Sequence, residues 1–347
     1  MGGWESVRDL LARTGEDWPL RTHRISVLAR AAVGLEWTRT WSQAEPERPD
    51  AQVMAAYAEA VRLRSMILRR DPGADDAAAV RAVANGRAAA AAAPHDPTPW
   101  IGLLTLADIL GDNGVSMVQW NDLSFETGAR SWNWFQEAVS RHPESWHAHH
   151  RMREAQLARL RTGALHELTG LLDFAAAGAA HADPHSPLRV LPLYAHVELR
   201  QSATADQLGA SERAWLAQRV EQDLEDAYRY WFRGPDPGHP AAPYDLNILA
   251  YLLVESGRPR LAQPVFTAIG THATAVPWTR AAQLSGARSG QDAFTAARSA
   301  ADTAAAKAPR NVTEPDPFPE TAPAAPAEAE APHAPPPLPA DTLTSPE

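Results

Sequence analysis

Apolar positions in this chain recur at intervals of three and four residues, and runs that alternate with a period of two are hard to find. In DAQVMAAYAEAVRLRSMIL, Met54, Tyr57, Ala58, Val61 and Leu68 fall on one stripe, with Glu59, Arg62 and Arg69 turned away. In NDLSFETGARSWNWFQEAVSRH the stripe is Phe125, Ala129, Trp132, Phe135 and Val139. Trp134 lies off that stripe, so it either packs on a second neighbour or contacts a ligand. DDAAAVRAVANGRAAAAAA stops at Pro94, DPTPWIGLLTLADIL opens a new helix, and ESWHAHHRMREAQLARL follows Pro143. The same period continues through GALHELTGLLDFAAAGAA, SPLRVLPLYAHVELRQ, SERAWLAQRVEQDLEDAYRYWF, PYDLNILAYLLVESG and a last pair between Arg260 and Ala306.

Most joints between these segments are short and marked by Pro, Gly, Ser or Asp. Ser186-Pro187 illustrates the start signal: a hydroxyl caps free N–H groups and Pro occupies the first turn. Pro192, inside one predicted helix, kinks it or shifts its start. Short joints force neighbouring helices to pack antiparallel, which predicts a succession of helical hairpins. Trp37 and Trp41 share a face, so residues 1–45 are expected to form an N-terminal helical cap on a repeat domain at 46–306. From 307 to 347 the chain is Pro, Ala and acid, with no hydrophobic set that could close a core. A disordered acidic, Pro-rich tail is expected there.

Composition narrows the function classes. Much of the 45% hydrophobic content is Ala, which favours close helix packing. The formal charge is −10, half of it from residues 307–347, and it argues against nucleic-acid binding. Without cysteines there are no disulfides, thiolate metal sites or thiol nucleophiles. A charged N-terminus and the lack of an apolar run of membrane-spanning length suggest a cytoplasmic chain with no membrane partner. Lys307 is the one lysine among many arginines, a bias that matches the coding habit of GC-rich actinobacteria.

A weak internal repeat runs through the helices. A small-residue helix ends at Pro94, and Trp100 follows with Leu103, Leu104 and Ala107 behind it. Ala138, Pro143 and Trp146 make a looser copy. In this the chain resembles the tetratricopeptide-like superfamily, with copies about 45 to 50 residues apart rather than 34. Between Pro143 and Arg200 the order AHHRM, HEL, LLDFA, SPL, LPLYAHVEL is similar to an actinobacterial group of helical-repeat proteins without an assigned activity. That resemblance implies an all-α, tetratricopeptide-like α-solenoid of antiparallel hairpins, and it carries no catalytic residue.

The stretch HPESWHAHHRM holds four histidines, His142, His147, His149 and His150. On a helix starting near Glu144, Trp146, His150, Leu157 and Leu160 form an apolar stripe, and His147, Arg151 and Glu154 are expected roughly opposite. His149 sits at the edge of the buried stripe. So divided, the imidazoles do not converge as a zinc site requires, and no metal or cofactor is expected. His149 or His150 is expected to hydrogen-bond between helices. His196 and Glu198, two apart in AHVEL, point to different sides of their helix. The basic run RLRSMILRR reads as a solvated face. No phosphate loop, nucleophile elbow or dinucleotide fingerprint is present.

A helical stack offers a concave groove lined by the first helix of each hairpin, here those beginning near Pro99, Glu144, Pro187 and Pro243. The expected function is a non-catalytic scaffold that holds another protein or peptide segment in this groove. The candidate contact residues are Trp100, His147, Arg151, Glu154 and His196. The alternative is a metal- or small-molecule-binding helical enzyme centred on His142–His150.

Overall fold

A computed structural model of the chain describes residues 3–32, 36–107, 127–160, 165–201, 210–235 and 238–307. Among these residues there are fifteen α-helices and no strand. They are α1 (Glu5–Thr14), α2 (Trp18–Ala31), α3 (Trp37–Ala44), α4 (Pro49–Leu68), α5 (Asp76–Ala92), α6 (Thr98–Leu104), α7 (Thr127–Arg141), α8 (Trp146–Leu160), α9 (Leu165–His181), α10 (Leu191–Gln201), α11 (Ala210–Asp226), α12 (Ala242–Glu255), α13 (Pro259–Ile269), α14 (Ala275–Ser285) and α15 (Gly290–Ala306). A 3₁₀ turn, Pro187–Val190, leads into α10, and α11 continues as a π-helical segment, Ala227–Phe232.

The local start and stop signals act where the chemistry of the residues places them. Prolines sit in the first turn of α2, α4, α6, α12 and α13, where an N–H has no helical acceptor. The Asp17, Asp75 and Ser289 side chains accept from backbone N–H groups three residues on. Ser186 caps the 3₁₀ turn through Leu188 N at 3.3 Å. Pro192 is the second residue of α10, so it shifts the start of that helix and does not kink it.

Consecutive helices pair as α4–α5, α6–α7, α8–α9, α12–α13 and α14–α15. The helices α4, α6, α8, α10, α12 and α14 also touch in that order. Residues 1–308 form one compact unit that includes α1–α3, so the N-terminal helices belong to the body. α2 packs across α4, α6 and α8. Arg21 on α2 is buried and reaches Asp50 at 2.7 Å and Asp96 at 2.8 Å, while Thr22 and Thr98 hydroxyls meet at 3.0 Å. Trp41 on α3 is fully buried, stacks on Trp4 and donates its Nε1–H to Glu45. Residues 309–347 are a second unit and lie outside the described residues, as does Phe125.

Small residues set the closest contacts. α5 buries Ala78, Ala79, Ala82, Gly86, Ala89 and Ala90. A Cβ built on Gly86 would stand 2.5 Å from Leu103 Cδ2 and 2.8 Å from its Cγ. Leu103 is itself buried, so it has little room to yield. Gly86→Ala should therefore lower stability by about 1 kcal/mol, because overpacking exceeds the gain in helix propensity. Thermal melting checks this, and a stabilised variant would show that Leu103 repacks freely.

Two sequence expectations change on packing. On α7 the buried face is Ser131, Trp134, Phe135 and Ala138, while Trp132 is exposed, so Trp134 is a core residue. On α4 the stripe holds through Met54, Tyr57 and Ala58, but Leu68 at its end stands 59% exposed.

Candidate functional site

α8 begins after Pro143, with the Ser145 hydroxyl accepting from Ala148 N. Its histidines separate, but not along the expected lines. His149 turns toward α9: its Nδ1 lies 2.9 Å from the Ser145 carbonyl of its own helix, and its ring is edge-on to Phe135 and stacked on Phe174. Gly178 permits that approach, since a Cβ there would stand 3.1 Å from the His149 ring. His149 is thus a packing residue, held by a bond within its own helix rather than between helices. His142 follows the end of α7.

His147 and His150 both face a recess of about 760 Å³. They do so because a helical residue turns about 100° from its neighbour, so the His147–Arg151–Glu154 stripe lies beside the Trp146–His150–Leu157 stripe and not opposite it. α8 touches α2, α6, α7, α9 and α10, and none of its described side chains is exposed. His147 is only 6% exposed, where a solvent-facing donor was expected. Its ring lies 5.8 Å from that of His23 on α2 and 6.4 Å from that of His239, which precedes α12. His150 stacks on Trp146 at 3.8 Å and meets the Tyr194 ring edge-on at 4.4 Å. No hydrogen-bond partner satisfies its buried Nε2.

Burial sets the protonation of this group. Desolvation, reinforced by neighbouring imidazoles and arginines, holds His147 and His150 well below the usual histidine range. Desolvation likewise brings His239 down to about 4. All three are neutral at pH 7. Beneath them Asp245 on α12 is fully buried and accepts from Trp146 Nε1 at 3.0 Å and from the Tyr194 hydroxyl at 2.9 Å. Desolvation outweighs these bonds and pushes its carboxyl up to about 8, so it too is mainly neutral at pH 7.

The charges in the recess are carried by arginine and glutamate. Arg30 comes from α2, Arg64 from α4, and Arg151 and Arg153 from α8. Glu154 pairs with Arg151 at 2.6 Å, and Glu198 on α10 pairs with Arg153, whose guanidinium also lies over the Tyr194 ring at 4.9 Å. Four arginines thus face two glutamates. A second hollow of about 590 Å³ adjoins the first and shares Arg30, Arg64, Leu68, Arg151 and Glu154 with it.

Of the sequence candidates, His147, Arg151 and Glu154 therefore meet in one place, and two do not join them. Trp100 is half-buried against the core with the Arg141 guanidinium over its ring at 5.5 Å. His196 is 1% exposed and its Nε2 lies 2.7 Å from Asp223 Oδ2. Glu198, two residues on, points to the other side of α10, as their spacing implies. Arg64 belongs to the basic run expected to be a solvated face, yet it is half-buried and lines the recess. Arg30, His23, Tyr194 and Tyr244 carry no motif that would have singled them out.

Of the four helices expected to line a groove, α8, α10 and α12 contribute to the larger recess, the last with Tyr244. α6 does not, and the residue just past its end, Thr105, lines only the adjoining hollow. Among the described residues no group of three or more His, Asp or Glu side chains is placed to hold a metal, and no helix is long and apolar enough to cross a membrane. Comparison with protein-family models, with curated proteins and with solved structures found no match for this chain.

Proposed function

We propose that this cytoplasmic, actinobacterial-type chain is a non-catalytic binding module whose successive hairpins stack in tetratricopeptide-like fashion and whose inner face receives a partner. The observation that carries this reading is the recess itself, into which α2, α4, α8, α10, α12 and α14, drawn from most of the chain, each send side chains. Such convergence of distant helices on one concavity is how helical stacks build binding surfaces. α2 narrows the inner face by lying across α4, α6 and α8, so a partner engages the recess rather than the whole length of the stack.

A photoreactive amino acid placed at Leu68, which is exposed at the rim, tests this in the native host. Intact-mass analysis reports what becomes attached. The double variant Arg151→Ala/Glu154→Ala should reduce the adduct about tenfold, a loss of about 1.4 kcal/mol, with an unchanged circular dichroism spectrum. Undiminished adduct in the variant would place capture elsewhere.

A further inference from the structure

The recess joins two features that seldom adjoin on a protein of formal charge −10: an excess of arginine along its lining and a ring of bare apolar side chains at the mouth. Val27, Leu68, Tyr244 and Val276 are 47, 59, 42 and 58% exposed, and they come from α2, α4, α12 and α14. Those four are nearly half of the large hydrophobic residues exposed among the described residues. Scattered exposed hydrophobics need no explanation, but a set gathered around one cavity marks a contact surface.

Arg30, exposed where it lines the recess, has no acidic partner among the described residues, and the buried Arg153 leaves its Nε without an acceptor although its terminal nitrogens are paired. His150 Nε2, on a side chain 4% exposed, is likewise unmatched. The neutral histidines add no charge, so the side chains lining the recess carry four arginines against two glutamates. Arg30, Arg64 and Arg151 also line both the larger recess and the adjoining hollow, which sets a cationic belt where the two meet.

We propose that the occupant is a small amphiphilic oxyanion: a carboxylate or phosphate monoester on an apolar body. This deepens the binding-module reading and rests on it. The guanidinium groups at the belt hold the head through charge-assisted hydrogen bonds. The body lies toward Tyr244 and Val276 and covers the apolar rim. A volume of about 760 Å³ suits one such molecule, within the range of small-ligand sites. The belt explains why Arg30 and Arg64, on separate helices, face one space.

Isothermal titration of the full chain with octyl phosphate, octanoate, inorganic phosphate and octyl glucoside tests the proposal. Octyl phosphate or octanoate should bind at one site, and the tighter of the two identifies the head group. Inorganic phosphate and octyl glucoside should each bind at least tenfold more weakly, lacking one half of the recognition. Arg30→Gln/Arg64→Gln should weaken the amphiphile at least tenfold, and Leu68→Gln/Val276→Gln several-fold, with melting temperatures unchanged. Equal binding of octyl glucoside, equal binding of inorganic phosphate, or unaltered affinity in both double variants would each overturn it. If neither amphiphile binds while adduct formation at Leu68 still depends on Arg151 and Glu154, the ligand class is wrong and the binding module stands. If both experiments fail, the recess is not a binding site.

Discussion

Arg21→Met should cost about 3–5 kcal/mol of unfolding free energy, the range for breaking a buried ion pair from one side. Arg21 is 5% exposed, and its guanidinium joins Asp50 at the start of α4 to Asp96 just before α6. Burial by itself would lower its pKa, but the two carboxylates outweigh this and hold it above its ordinary value. Methionine fills much of the volume but leaves Asp96, itself 3% exposed, with only the Thr98 N–H at 2.8 Å. The loss arises mainly from that stranded carboxylate, so Asp96→Asn in the same chain should restore a substantial part of it. Urea denaturation of the two variants separates the contributions. A single variant within 1 kcal/mol of the parent would mean that Arg21 behaves as a surface pair and that α2 is held by apolar contacts alone. Because α2 forms one wall of the recess, loosening it should also weaken ligand uptake.

Asp245→Asn should make the protein progressively more stable than the parent as pH rises. The sign follows from the direction of the shift. The folded carboxyl titrates at about 8, and in the unfolded chain it titrates near 3.9. The folded state therefore keeps a proton that the unfolded state has released, and stability is full below about pH 4 and declines as pH rises toward 8. The slope is about 1.4 kcal/mol per pH unit for a fully retained proton. Asparagine is neutral at every pH and keeps an oxygen for the Trp146 N–H and Tyr194 O–H. The difference in unfolding free energy between variant and parent should thus grow by about 1.4 kcal/mol per unit from pH 5 to 7, measured by denaturant titration at each pH. Taking the difference cancels the opposing contribution of the histidines, whose depressed pKa values cost stability as pH falls below 6.5. A constant difference would mean that Asp245 is ionised in the folded protein.

Both predictions concern polar groups whose importance is invisible along the chain. Arg21 stands in an ordinary amphipathic segment, and Asp245 reads as one of several acids near a helix start. Their partners are 29, 75, 99 and 51 residues distant, at Asp50, Asp96, Trp146 and Tyr194. No local spacing announces such contacts.

By itself the sequence determined the helices and many of their ends. The period of 3.6 is a property of neighbouring residues, and Pro94, Pro143 and Ser186-Pro187 act within a turn of where they stand, so no tertiary information was needed to place them. The all-helical architecture follows from the same local physics. The tertiary structure decided which of the diverging faces mattered. An amphipathic reading grants a helix one buried face, but α8 is enclosed by neighbours, so His147 is buried beside His23 and His239 instead of facing water. For the same reason the exposed and core tryptophans of α7 exchange places, Trp132 outward and Trp134 inward. The cationic belt and apolar rim likewise arise only when α2, α4, α8, α12 and α14 come together, because their charges and hydrophobic surfaces add in space and not along the chain.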